Sequence, residues 1–308
     1  MTVLPPQFLL PEASSGGKAA GRRGQQTPLF HRSAAQMARL SGNRLHLHEG
    51  PIDLVLHAEG PGAAEAEACA IARFTGLLAE IASELPALRS ANSEPLFGSV
   101  ARAMATATAP FRPAFITPMA AVAGAVADAI LAAMLEGGGL SRAYVNNGGD
   151  IALHLAPGQS YSIAIAARDG APDRITLNAR DGIRGIATSG WRGRSQSLGI
   201  ADTVTVLAPN AAMADAAATM IANAVDLPGH PAITRRPACE IKADSDLGQR
   251  PVTVAVGALT APERGAALDL GAETAQVFLS RGLIAGAAIF LHPDLRLVGA
   301  VPQEPARA

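Results

Sequence analysis

Residues Val204–Thr219 read VTVLAPNAAMADAAAT, and this stretch joins the two kinds of structure the chain must contain. Val204, Thr205, Val206 and Leu207 are β-formers and close a strand predicted over Thr203–Leu207. Pro209 and Asn210 interrupt it. Asn210 is placed to cap a helix predicted over Ala211–Val225, built mostly of alanine, which costs no side-chain entropy in a helix. The helix stops at Asp226-Leu227-Pro228-Gly229. Asp215 and Thr219, four apart, project their oxygens from one helix face. A carboxylate among alanines either caps backbone N–H groups near the helix start or, if buried, needs a partner such as a hard cation with further oxygen ligands. Both readings stay open at this point.

Upstream, strand signals dominate from Ala143, over Ala143–Asn146, Ile151–Leu155, Tyr161–Ala166, Arg174–Asn178 and Gly185–Thr188, with Gly-, Asn- and Asp-rich turns between. Arg44–Ala58 reads as two alternating strands around Glu49-Gly50-Pro51. One helix is expected over Ala63–Leu85, with Ala66, Ala70, Phe74, Leu77, Leu78 and Ile81 on one side, and a shorter one over Leu96–Ala107. Thr117 as N-cap, Pro118 in the first helical position and Gly137-Gly138-Gly139 as the stop predict a helix of about five turns. Downstream, Gly229–Arg250 is expected to be a long loop. A strand over Val252–Val256, a helix around Ala261–Arg281 and a hairpin of Ile284–Leu291 and Arg296–Val301, turned by His292-Pro293-Asp294, finish the chain. No internal repeat is evident, although two helix-plus-sheet halves would suit a duplicated α+β fold.

Hydrophobic residues make up 49% of the 308, but aromatics only 4%, so the core is built from small, close-packed side chains. A net charge of −1 leaves no electrostatic footprint for nucleic acid or an anionic membrane. Cys69 and Cys239 are too few for a disulfide framework or a cysteine metal cluster. Residues 1–36 are rich in Gly, Ser, Pro and Arg and lack a basic start followed by an apolar run, so they read as a disordered tail rather than a signal peptide. A single α/β domain is expected over 37–303, with the cytoplasm as its compartment. Ala114–Leu135 is apolar enough to suggest a membrane span, but Asp128 within it would cost roughly 2.5–3.5 kcal/mol at a bilayer centre. A buried helix is the better reading.

Four further features bear on chemistry. Asn146-Asn147-Gly148-Gly149-Asp150 lies between two strands; its glycines permit positive φ and close approach of a ligand or another backbone, and a plain hairpin turn is the other reading. No helix follows it, so it is not a dinucleotide fingerprint. Ala187-Thr188-Ser189-Gly190-Trp191-Arg192 offers hydroxyls, backbone N–H groups and a cation, a phosphate cradle or a self-bonded polar turn. Trp191 suits stacking on a planar ring or anchoring its own loop. Ala120, Gly124 and Ala127 form a small-residue stripe beside Asp128, fit for close packing of a helix or a cofactor. His46, His48 and His57 are read as surface residues.

Taken in order, Ala121–Asp128 (AVAGAVAD), Asn146–Ile151 (NNGGDI), Ala187–Gly190 (ATSG) and Val204–Thr219 resemble the motifs of ApbE-type FAD:protein FMN transferases. Thr117–Asp128, Ser197–Asp202 (SLGIAD) and Ser245–Gly248 (SDLG) resemble an uncharacterised branch related to ApbE. The resemblance is good over Thr117–Val225 and holds only in outline at the flanks. It implies an α+β, two-layer ApbE-like T-fold in which antiparallel sheets pack with helices. It also implies a pocket for FAD or a related flavin nucleotide at Gly124, Asp128, Gly148, Gly149, Asp150, Thr188, Ser189 and Gly190, and Mg²⁺ bound through Asp215 and Thr219.

The departures from the transferase pattern are specific. The lysine of the A-K-G motif is Ala123 here, and the aspartate opening that motif is Thr117. The S-H-x-x-D-P signature expected after T-S-G is replaced by Ser195-Gln196-Ser197-Leu198-Gly199. Arg192 and Arg194 are the cations nearby that offer electrostatic replacement. The expectation is therefore an ApbE-like protein that binds a flavin nucleotide or related adenylated ligand with Mg²⁺, a transferase in type but not a standard FMN transferase. The alternative is a non-enzymatic binding or carrier protein linked to sulfur assimilation and homocysteine formation. The expected partner is a small nucleotide ligand, with no nucleic acid or membrane; a protein substrate and a homo-oligomer both stay open.

Overall fold

Burial along the strands shows which are covered on one face and which on two. The computed structural model describes residues 35–92, 94–168 and 171–299. All but the last two positions of the expected tail, and positions 300–303, lie outside them. Among the described residues, β1 (Gln36–Leu40), β2 (Arg44–Glu49), β3 (Ile52–Glu59), β4 (Arg142–Asn147), β5 (Asp150–Leu155), β8 (Gly185–Ser189), β9 (Thr203–Ala208), β12 (Gly286–Leu291) and β13 (Asp294–Gly299) form one nine-stranded sheet in that order. Every neighbouring pair is antiparallel. Strand β3 alternates between buried and half-buried, with Ile52, Leu54, Leu56 and Ala58 inward, as a strand covered on one face should. Strand β9 is buried from Val204 through Ala208 because both its faces are covered.

The helices are α1 (Ala63–Phe74), α2 (Leu77–Ser83), α3 (Leu85–Leu88), α4 (Ser99–Thr108), α5 (Val122–Leu135), α6 (Ala211–Ala224), α7 (Ala238–Ile241) and α8 (Ala261–Ser280), and α1, α5, α6 and α8 lie on one face of the large sheet. Helix α5 packs against α1, α4, α6, β4 and β5. The stretch Pro118–Leu135 has the length and composition of a membrane span, and this packing makes it the central helix of the fold. On the opposite face, the hairpin of β6 (Ser160–Arg168) and β7 (Ala171–Asn178) covers β5, β8 and β9 through Leu153, Leu155, Ile175, Leu177, Ile186 and Leu207. A two-stranded sheet of β10 (Ile233–Pro237) and β11 (Pro251–Val256) completes the described chain. The architecture is α+β with antiparallel sheet throughout, as expected.

Three local expectations are corrected. The helix over Ala63–Leu85 is broken, because Gly76 adopts φ 82 between α1 and α2, a conformation open to glycine. The expected loop Gly229–Arg250 contains β10 and α7; Ile233–Pro237 lacks the apolar alternation that marks a strand, since it is half exposed and pairs only with β11. The helix expected to start at Pro118 begins as a 3₁₀ turn, Pro118–Ala121, and turns α-helical at Val122. Thr117 makes no side-chain cap there, because its hydroxyl donates to Asp246 instead. Asn210, by contrast, caps α6 as read, accepting from the Met213 N–H at 2.8 Å.

Candidate functional site

The hairpin between β4 and β5 has only Gly148 and Gly149 in its loop, at φ 64 and φ 119, so both positions need glycine. Asn146 Oδ1 accepts from the Gly149 N–H at 2.8 Å. The flanking residues fasten the turn to two other elements. Asn147 Nδ2 donates to the Ala123 carbonyl at the start of α5, and Asp150 Oδ1 accepts from the Thr188 N–H at the end of β8. Gly148 and Thr188 are exposed, whereas Asp150 is buried.

Beneath the turn, α5 and α6 meet start to start. A Cβ at Gly124 would lie 2.2 Å from the Ala211 carbonyl oxygen, and one at Gly185 would lie 2.0 Å from Asn210. Both glycines therefore exist to let α6 approach. At this crossing the Asp128 carboxylate of α5 accepts from the Ala211 and Ala212 N–H groups of α6, at 3.0 and 2.9 Å. The Asp215 carboxylate of α6 accepts from the Gly124 N–H of α5 at 3.1 Å. Gly124 and Asp128 thus serve the helix crossing, and Asp215 satisfies the N-terminal donors of the neighbouring helix rather than its own.

Three carboxylates converge here, and their electrostatics follow from burial. Burial raises the Asp128 carboxyl against the lowering effect of the α6 N–H groups. Burial lifts Asp150 to about 7, opposed by the Thr188 N–H and the Arg194 charge. Asp215 is pushed well above the carboxylate range, first by burial and then by the Asp150 charge, with the α5 N–H groups opposing and Asp128 adding to the rise. Among the described residues the one cation acting on the cluster is Arg194, at Asp150. Among the described residues no group of three or more His, Cys, Asp or Glu stands arranged to hold a metal. The donors of Asp215, Thr219 and Asp150 are all hard oxygens, however, and mutual repulsion of carboxylates is what a divalent cation relieves. Their chemistry fits Mg²⁺.

The loop after β8 is held by Asp202. Its carboxylate accepts from Trp191 Nε1, Arg192 Nε and the His292 N–H at 3.2, 2.5 and 2.7 Å. A Cβ at Gly190 would lie 2.3 Å from the Asp202 carbonyl oxygen, so this glycine admits the 201–202 backbone. Trp191 anchors its own loop, with the Arg192 guanidinium over its ring. Ser189 is half-buried in β8, in register with Val204. Arg194, exposed, lays its guanidinium on the glycine turn: a Cβ at Gly148 would stand 1.6 Å from Nη2. A cavity of about 260 Å³ lined by Leu96, Thr106, Arg112 and Pro118 lies beside the 3₁₀ turn rather than over these groups.

The structure thus brings Gly148, Gly149, Asp150, Thr188, Asp215, Gly124 and Asp128 together and keeps Gly190 in the packing of its loop. Sequence reading missed Asn147 as the tie to α5 and saw Arg194 only as a replacement cation. Its contact with Gly148 has no local signal, because the two come from separate loops.

A family model described as AbpE bacteria matches residues 35–298. The UPF0280 protein of Methanothrix thermoacetophila is 40% identical over 111 residues, 36% of this chain and 46% of the relative. That of Methanococcoides burtonii is 42% identical over 119 residues, 37% of this chain and 48% of the relative. The match therefore spans about half the length of these curated relatives. Among solved structures, the flavinyl transferase ApbE of Pseudomonas stutzeri superposes with a TM-score of 0.47 at 15% identity, covering 88% of this chain and 96% of that one. The flavin transferase ApbE of Vibrio cholerae gives 0.45 at 13% identity, covering 86% and 97%.

Proposed function

The chain belongs to the family described as AbpE bacteria, and from that premise we propose that it binds a flavin nucleotide, FAD or a related adenylated ligand, together with Mg²⁺. The observation that carries this reading is the meeting of three distant segments at one exposed glycine turn, Asn147 on Ala123, Asp150 on Thr188 and Arg194 on Gly148, which Asn147 ties to the helix crossing where Asp215 accepts from Gly124. A nucleotide diphosphate is anionic. The Gly148 backbone, the Thr188 and Ser189 hydroxyls and the Arg194 guanidinium supply the donors such a group requires. Asp215 and Thr219, with Asp150 beside them, would hold Mg²⁺, which would neutralise diphosphate oxygens when bound.

Standard FMN transfer is not part of this proposal. Ser197, in the segment that replaces the S-H-x-x-D-P signature, is 2% exposed and bonds to Asn223. A Cβ at Gly199 would lie 2.1 Å from the Ala222 carbonyl oxygen. Ser197–Gly199 is committed to packing on α6, and the segment's side chains include no general acid or base for a diphosphate. This same commitment favours the second reading, a non-enzymatic nucleotide-binding or carrier protein. Thermal unfolding with FAD, FMN and ADP tests the shared claim, since a ligand of the native state raises stability as RT ln(1 + [L]/Kd). A rise with FAD supports it, and no rise with any of the three refutes it.

A further inference from the structure

The segment Ser245–Gly248, within the stretch expected to be a long loop, touches both arms of the site. Thr117 Oγ1 donates to Asp246 Oδ2 at 2.5 Å across 129 positions of sequence, and Thr117 is 2% exposed. Ser245 Oγ donates to Gln196 Oε1 at 2.5 Å. Gln196 lies two residues beyond Arg194, the cation on the glycine turn. Thr117 opens the 3₁₀ turn that leads into α5, whose Gly124 N–H faces Asp215. Two adjacent residues therefore tie down the segment that carries Arg194 and the segment that presents the α5 start.

The rest of the clasp holds these two in place. The Ser245 N–H donates to the Lys242 carbonyl, and the Ser245 hydroxyl accepts from the Leu247 N–H. Asp244 pairs with Arg89 at 2.6 Å, and the Arg250 guanidinium lies over the Phe115 ring at 3.2 Å from its centroid. The exposed pair at Arg89 is worth little by itself. The Thr117–Asp246 bond differs, because the hydroxyl is buried and would be left without its acceptor if the carboxylate were removed.

We infer that Asp246 is a positioning residue of the proposed nucleotide site, holding the start of α5 and, through Ser245, the Arg194 loop in one arrangement. This inference rests on the nucleotide reading for its functional consequence, but its structural core is tested without ligand. Amide hydrogen exchange is measured on the full chain for wild type, Asp246→Ala and Asp246→Asn. In Asp246→Ala, exchange over 117–124 and over 190–198 should both rise at least tenfold while β10 and β11 stay protected. Asp246→Asn keeps an acceptor and should restore most of the protection. FAD affinity should fall at least tenfold in Asp246→Ala and recover in Asp246→Asn. If Asp246→Ala does not fold, Thr117→Val is read in the same way, since it removes the donor and leaves 245–248 intact. Wild-type exchange in both segments would overturn the inference. Absence of FAD binding by the wild type would instead overturn the nucleotide reading, with the exchange result still deciding the role of Asp246.

Discussion

Asp128 and Asp215 exchange helix caps: each carboxylate lies on its own helix and accepts from the first N–H groups of the other. Each helix start is thereby satisfied by a residue 83 or 91 positions away in sequence. A carboxylate at a helix N-terminus contributes roughly 0.3–1 kcal/mol at the surface and up to about 2 kcal/mol when partly buried. The exchange fixes the crossing of α5 and α6, and the glycine turn is pinned to that crossing by Asn147.

Asp128→Ala should cost about 1–3 kcal/mol, because it leaves two N–H groups of α6 without acceptors. Gly124→Ala should cost at least as much, since its methyl would enter the Ala211 carbonyl. Urea unfolding of both variants checks this. A midpoint equal to wild type for Asp128→Ala would show that water satisfies the α6 start as well as the carboxylate does.

The pH dependence follows from Asp150. Its folded carboxyl titrates near 7, above the ordinary value of 3.8. A group raised by folding favours the folded state while it keeps its proton, so this contribution is full below about pH 4 and is lost as pH rises through about 7. Asp150→Asn keeps an acceptor for the Thr188 N–H without the charge. The variant should gain stability relative to wild type between pH 4 and pH 8. Thermal melts across that range measure it, and a constant difference would place the Asp150 titration outside the stability balance.

Gly148→Ala should weaken FAD binding about tenfold, equivalent to about 1.4 kcal/mol. The methyl would need the space that holds the Arg194 guanidinium, at a backbone φ of 64 that side chains rarely adopt. Arg194→Ala should weaken binding similarly while leaving the melting temperature unchanged, because its side chain is exposed. Unaltered affinity in both variants would remove Arg194 from the site.

No covalent FMN transfer to a threonine-containing acceptor is expected, given Ala123 and the packed Ser197 segment. Mass spectrometry of acceptor incubated with this protein, FAD and Mg²⁺ should show no added FMN. A protein-dependent mass increase would reverse the account of activity.

Much of the scaffold was legible because it is local. The alternation of Ile52–Glu59, the cap at Asn210 and the two glycines of the β4–β5 turn each carry their signal within a few residues. Strand β10 was not legible, since Ile233–Pro237 is polar and proline-ended and is defined only by its partner β11. Of the site, the residue types were readable and their partners were not. Asp215 reads as a cap for its own helix, and it caps α5 instead because Gly124 lets that helix approach. Thr117 looked like an N-cap, and its hydroxyl was claimed by Asp246. In each case a bond across many residues outcompeted the local pattern.

The most direct test of the central claim is the linkage between nucleotide and metal at Asp215. FAD is titrated into wild type and Asp215→Asn, each with and without Mg²⁺, by calorimetry. Asp215 holds its proton well into the pH range where carboxylates are normally ionised, so the amide resembles its resting state and should keep the fold. A metal bound through Asp215 must displace that proton, and binding should release protons and tighten with rising pH. Mg²⁺ should strengthen FAD binding by wild type at least tenfold, with proton release, and should have no effect on Asp215→Asn. Equal FAD affinity in all four titrations, or no binding in any, would contradict the claim.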